Sequence, residues 1–260
     1  ALACASHNAE PRHTDSVLAW LKKVGLSERD LACGPQAPIS EAARDQLLLQ
    51  NICPGRVHNN CSGKHAGFLS TAAHLGEPAV GYLELEHPVQ QRVKKVLAEI
   101  TDIDLDKAPV GVDGCGAPVF GMPLRGLALA MARYGTGTEL SGPRAQAAAR
   151  FYRAMVREPF MIAGTDRWGT RAMQITGECL VVKGGAEGVY CAIIPGQRIG
   201  IALKIDDGGS RAAEALMGLL LIRYAGLGSD LSAKLEKLSL PAIFNAEGKV
   251  VGATRSAGEA

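Results

Sequence analysis

Aromatic residues are scarce in this 260-residue chain, at 5%, and charge of either sign is nearly balanced, at net +2. Scattered bases with few aromatics give neither the basic stripe nor the stacking surface that nucleic acid requires, nor a cationic patch for anionic membranes. No apolar run approaches the roughly 20 residues of a membrane span. Pro- or Ser-rich linkers, low-complexity tracts and internal repeats are also missing, so no composition shift divides the chain. Cysteines number seven, an odd count at irregular spacing, and a chain long enough to bury an ordinary core needs no disulfide framework. A reducing cytoplasm and a small neutral or zwitterionic partner are the expectation; nucleic acid and membrane are not.

What is present is a hydrophobic fraction of 47% beside 21% charged residues, the balance of a globular chain. Its first residues, "ALACASH", stand in mid-pattern without an initiator Met or a cationic leader. That opening suggests sequence upstream of Ala1, and a single domain over 1–260 truncated at its N-terminus is expected. Apolar residues recur at helical intervals in 14–26, with Thr14 or Asp15 as cap and Gly25 as stop, in 40–50 opened by Ser40, and in 87–100 opened by Pro88. Further helices are expected over 123–134, 142–157 and 210–226. Segments 178–185, 188–195 and 199–206 are short, rich in Val and Ile and separated by Gly or Pro, the pattern of an antiparallel meander. The fold class read from this is α+β, helices packed on an antiparallel sheet.

Chemistry concentrates in "VHNNCSGKHAG", residues 57–67, just before an apolar helical run. Residues three and four apart share a helix face, so Cys61, Lys64 and His65 point into one space, with Ser62 turned toward the free backbone N–H groups of the first turn. Three readings stand. Cys61 and Lys64 with Cys115 of "GVDGCGAP" (111–118) can hold Zn²⁺, which favours thiolates, provided the lysine loses its proton. Cys61 can instead be a nucleophile activated by Lys64 or His65 at a helix N-terminus. Or Asn60 or Ser62 merely caps the helix and Cys61 is inert. Spacing does not separate them.

Two shorter motifs add a second chemistry. "SHN" at 6–8 and "KGG" at 183–185 supply a Ser and a Lys, and a desolvated lysine can serve a serine as base. Ser-x-Asn followed far downstream by Lys-x-Gly on a strand is the order in serine β-lactamases and penicillin-binding proteins, which also carry S-x-x-K; no S-x-x-K occurs in these residues.

"CASHNAEPRH", "NNCSGKHAGFL", "GVDGCGAPVF", "MIAGTDR" and "VVKGGAEGVYCAI", in that order over nearly the whole chain, resemble the Rhizobium etli-type L-asparaginases. The resemblance implies a fold similar to serine β-lactamases and penicillin-binding proteins, and hydrolysis of the side-chain amide of L-asparagine to L-aspartate and ammonia. It implies zinc as cofactor, held by Cys61, Lys64 and Cys115. Ser6 and Lys183 are the catalytic pair on the same basis, with Asp113, His65 and Ser62 lining the substrate pocket. L-Asparagine and a second copy of the chain, in a homodimer, are the expected partners. One departure accompanies the match: the family's nucleophile is expected on an S-x-x-K helix N-terminal to the C-A-S-H motif, whereas this chain begins three residues before Cys4. The alternatives are an inactive zinc-holding relative that binds an amino acid, and another amide hydrolase of β-lactamase-like fold, acting on peptides or β-lactams.

Overall fold

The computed structural model describes residues 1–257. In chain order the elements are α1 (Pro11–Lys23), α2 (Glu41–Leu49), α3 (Ser62–Leu75), α4 (Pro88–Thr101), β1 (Val110–Val112), β2 (Pro118–Phe120), α5 (Leu124–Thr136) and α6 (Gly142–Arg157). They continue with α7 (Pro159–Ile162), α8 (Trp168–Thr176), β3 (Val181–Gly184), β4 (Val189–Ile194), β5 (Ile199–Lys204), α9 (Ser210–Tyr224), α10 (Ser229–Ser239), β6 (Ala242–Phe244) and β7 (Val250–Ala253). Helices and small antiparallel sheets are thus mixed, in line with the α+β expectation. No helix among the described residues is long and apolar enough to cross a membrane. The contacts group into two compact units, one of residues 1–122 with 160–165, the other of 123–159 with 166–260.

In the first unit α1 packs on α3, and a short helical turn at Leu2–Cys4 lies against α3 as well. Val17 and Leu21 of α1, one helical turn apart, meet Ala66 and Leu69 of α3 in a core that also takes in Leu31, Val57 and Tyr82. The entry to α1 corrects the expected cap. The helix starts at Pro11, before Thr14 and Asp15, because Pro is pre-organised for a first turn and His13 Nδ1 accepts the Glu10 N–H at 3.2 Å. Ser40 does cap α2, accepting from Ala43 N at 3.3 Å. Strands β1 and β2 form a hairpin pairing Val112 with Pro118 across the loop 113–117.

In the second unit β3, β4 and β5 form the antiparallel meander, in the order β3-β4-β5. Five of the six residues of β4 are buried, since helix α5 packs on β4 and β5 and α9 also meets both strands. That is why "VYCAII" reads as a continuous apolar run rather than an alternating one. Ile193 pairs with Gly200, and both face α5: a Cβ on Gly200 would overlap the Ala128 carbonyl oxygen and the Ala132 nitrogen. Lys183 pairs with Cys191, and Cys191 with Ala202, which places Lys183 on that same face two residues along from Val181. Helices α8 and α10 and the hairpin β6–β7 had no expectation from periodicity.

Gly200→Ala therefore forces α5 away from the sheet, an overpacking cost of about 1–3 kcal/mol. Gly196→Ala, where an added Cβ meets nothing within 4 Å, should be near neutral. Thermal denaturation of the two variants checks this; equal midpoints would refute the close packing of α5 on β5.

Candidate functional site

Four side chains of the first unit, those of Cys61, Lys64, Asp113 and Cys115, converge where α3 begins. Its N-cap is Cys61, with no side-chain cap, so neither Asn60 nor Ser62 fills that role. The turn is held from one step earlier. Asn59, buried, accepts the Cys61 N–H on Oδ1 at 2.9 Å and donates from Nδ2 to the Cys33 carbonyl at 2.7 Å. Gly63 lets the turn at Leu2–Cys4 approach: a Cβ there would overlap the Leu2 carbonyl oxygen. Polar spacing supplies the side chains, and these two small or amide residues supply their placement.

Opposite stands the β1–β2 loop. Asp113 N–H donates to the Ala117 carbonyl and Gly116 N–H to the Asp113 carbonyl, both at 2.8 Å, with Gly116 at φ 86°, a left-handed conformation suited to glycine. This turn aims Asp113 and Cys115 at α3. Lys64 Nζ lies 3.1 Å from Cys115 Sγ and 3.3 Å from Asp113 Oδ2, and Cys115 Sγ lies 3.2 Å from the same carboxylate oxygen. Cys61 hydrogen-bonds to Cys115. The ligand atoms of Cys61, Asp113 and Cys115 all lie within 4.8 Å of one another. Side-chain exposures of 29% for Lys64 and 40% for Asp113 leave the cluster open to a small molecule from solvent.

The electrostatics divide the two sulfurs. The Cys61 hydrogen bond, followed by contributions from His65, the Ala117 backbone and Lys64, outweighs burial and holds the Cys115 thiol well below the ordinary range. Cys61, through the same bond to Cys115 and its partial burial, is pushed up. Burial works against the Lys64 ammonium, but its neighbours Cys61, Cys115 and Asp113 and the hydrogen bond to Cys115 win, and its pKa is raised. Nearby Cys33 is pushed up to about 11 by burial and is a poor nucleophile.

The donor set fits zinc. Ligands around a tetrahedral Zn²⁺ at about 2.0–2.3 Å lie roughly 3.5 Å apart, close to the separations seen, and two sulfurs with an amine and a carboxylate are the soft and borderline donors the ion favours. Asp113 adds a carboxylate oxygen to this group that spacing did not single out, since its approach depends on the hairpin turn. His65 is not among the three clustered ligand groups. It is fully buried, bonded through Nδ1 to Tyr82 Oη at 2.7 Å.

Ser62 is likewise fully buried, its Oγ 2.9 Å from His7 Nε2. His7 Nδ1 accepts the Ala9 N–H at 3.1 Å, so the neutral ring carries its proton on Nε2 and donates it to Ser62. Ser62 is therefore tied to a histidine rather than turned to the free N–H groups of the helix. Neighbouring Ser6 is half-buried in an extended segment: Ser6 N–H donates to Ile162 O at 2.9 Å, His7 N–H to Asn60 O at 3.0 Å and Asn8 N–H to Ala163 O at 2.8 Å. These bonds fasten Ser6 beside the start of α3. Lys183 belongs to the second unit, half-buried at the edge strand β3, where Nζ donates to the Gly184 carbonyl.

A family model described as L-asparaginase II matches residues 1–256. The chain belongs to the L-asparaginase II family. It is an amidohydrolase, as membership implies. A comparison with curated proteins gives no match.

Burial lowers the His7 pKa from 6.5 to about 3, with His13 and His58 adding repulsion. Between those values the unfolded chain binds a proton that the folded chain refuses, so this contribution to stability is complete above pH 6.5 and is lost as pH falls toward 3. Denaturant midpoints at pH 7 and pH 4 should differ more in the parent than in His7→Gln, which is weaker at pH 7 but lacks the titrating ring. An identical pH slope in both would contradict a neutral His7.

Proposed function

We propose that this L-asparaginase II family member hydrolyses the side-chain amide of L-asparagine to L-aspartate and ammonia by serine–lysine acyl transfer, with a zinc ion held by Cys61, Lys64 and Cys115 beside the substrate. The observation that carries the reading is the family match over 1–256, together with a donor cluster built from two separate segments of the first unit. A fold similar to serine β-lactamases belongs to the same proposal.

In this mechanism a serine hydroxyl attacks the amide carbon while an unprotonated lysine accepts its proton. The C–N bond then breaks, the lysine returns the proton, and ammonia leaves. Water attacks the acyl ester by the same route in reverse and releases aspartate. Ser6 and Lys183 are the relaying pair. The backbone bond of Ser6 to the Ile162 carbonyl holds it in register. Asp113, His65 and Ser62 shape the pocket, Asp113 from the open side and the other two from within. When bound, zinc supplies a positive centre that orients the substrate, its charge already offset by two thiolates. Lys64 must give up its proton to serve as ligand, and the ion's charge favours that loss.

Two outcomes test the reading. Cys61→Ala and Cys115→Ala should each lose stoichiometric zinc on elemental analysis after dialysis, whereas Cys53→Ala, at an exposed thiol, should retain it. Full retention in the first two would sink the metal site. In the natural polypeptide, Ser6→Ala and Lys183→Ala should each abolish most ammonia release from asparagine, and the double variant should be scarcely worse, because members of one proton relay are not additive. Lys183→Arg should not rescue, since a guanidinium does not give up its proton. Multiplicative losses would contradict a shared relay. Preferred turnover of glutamine or a chromogenic β-lactam would favour the alternative hydrolase.

A further inference from the structure

A cavity of about 670 Å³ opens in the first unit between the turn at Ser27–Arg29 and Gly55–Arg56, with Pro35 also lining it. None of these residues belongs to the cluster at the start of α3 or to the proposed relay. Three of them are charged, Glu28, Arg29 and Arg56, and no ion pair joins any two of the three among the described residues. Arg56 donates from Nη1 to the carbonyls of Arg29 and Leu31, at 3.2 and 2.5 Å, which leaves Nη2 and Nε of its planar fork uncommitted. Glu28 accepts the Val57 N–H on Oε1 at 2.9 Å, and its carboxylate comes so close to Gly55 that a Cβ there would overlap it. Arg29 is exposed, and its guanidinium makes no bond among the described residues. Two guanidiniums on one cavity wall repel each other unless an anion lies between them, and their donor geometry suits a carboxylate.

We propose that this cavity is a second amino-acid site, which takes an acidic amino acid of the L-aspartate type: its two carboxylates meet Arg29 and Arg56, and its ammonium meets Glu28. The charges of ligand and wall then match in sign and in number. A neutral amino acid brings one carboxylate fewer and leaves a guanidinium unmatched, so the site tells an acid from its amide. L-Aspartate is the product of the proposed reaction; that consequence alone rests on the functional reading, and the cavity is then a place where product binds apart from the reacting centre. It adjoins the metal-ligand turn through Arg56. The Arg56 carbonyl accepts the Asn59 N–H at 3.1 Å and the Cys33 thiol at 3.5 Å, and Asn59 in turn fixes the Cys61 N–H.

The test is titration calorimetry of the natural protein with L-aspartate, repeated on Arg29→Gln, Glu28→Gln and Ser6→Ala. One binding event should weaken about tenfold or more in Arg29→Gln and in Glu28→Gln, yet persist in Ser6→Ala. L-Homoserine, a neutral amino acid with no amide to hydrolyse, should bind there about tenfold more weakly than L-aspartate. Succinate, which has two carboxylates and no ammonium, should bind more weakly than L-aspartate in the natural protein but no more weakly in Glu28→Gln. Arg56→Gln also removes two bonds to backbone carbonyls, so the exposed Arg29 decides the matter. Ammonia release from asparagine at low product should be unaltered in Arg29→Gln; its loss would place Arg29 at the reacting centre and overturn a separate site. L-Aspartate binding that is absent, or unchanged in both Arg29→Gln and Glu28→Gln, overturns the proposal, as does equally tight binding of L-homoserine. A protein that binds L-aspartate in this way but releases no ammonia from asparagine overturns the proposed reaction and leaves the cavity's ligand standing.

Discussion

The candidate site of this protein depends on bringing Cys115 against the first turn of α3. The two segments are about fifty residues apart in sequence, so the contact must be made by tertiary packing and is lost if either side loosens. On one side Asn59 and Gly63 fix the turn, the first through its amide and the second by having no side chain. On the other, the Asp113–Gly116 turn closes the β1–β2 hairpin. The result concentrates two sulfurs, an ammonium and a carboxylate in a partly open place, where their charges are screened less than in water. Cys61 pushed up and Cys115 held down, beside an ammonium whose pKa is raised, divide the roles of the two sulfurs.

The surrounding shell is apolar and tightly held, which keeps these groups from solvating separately. Leu21, Leu31 and Leu69 are fully buried in the core that also receives Cys115. Burial has a second effect, on the histidines. His7 and His13 stack with ring centroids 4.9 Å apart, and burial lowers the pKa of both. His7 thereby serves as a neutral strut from the Ser6 segment to Ser62 instead of as a charge. The catalytic serine proposed here is thus positioned by the same helix start that carries Cys61 and Lys64.

Much of this was legible in the sequence. Every helix and strand expected from periodicity is found, within a few residues at its ends, because those segments carry long amphipathic or β-branched patterns. Helices α8 and α10 escaped since their buried apolar residues, Trp168, Ala172 and Met173 in one and Leu235 in the other, form short or broken stripes. At the site, Cys61 and Lys64 share a helix face, so their convergence was readable, and the D-G-C motif named Cys115. Asp113 as a donor, Tyr82 behind His65, and the His7–Ser62 bond were not, because each depends on where a turn from a distant segment lands. The cap of α1 was misread for a local reason: Pro11 and His13 together start the helix earlier than the Thr14 and Asp15 side chains suggest.

The claim on which the rest turns is that one metal ion is bound by both segments at once. X-ray absorption at the zinc edge of the purified natural protein measures this directly. The account predicts a four-coordinate ion with two sulfurs at about 2.3 Å and the remaining nitrogen or oxygen donors at about 2.0–2.2 Å. A shell without sulfur, or with a single sulfur, would contradict the joining of Cys61 and Cys115 in one site.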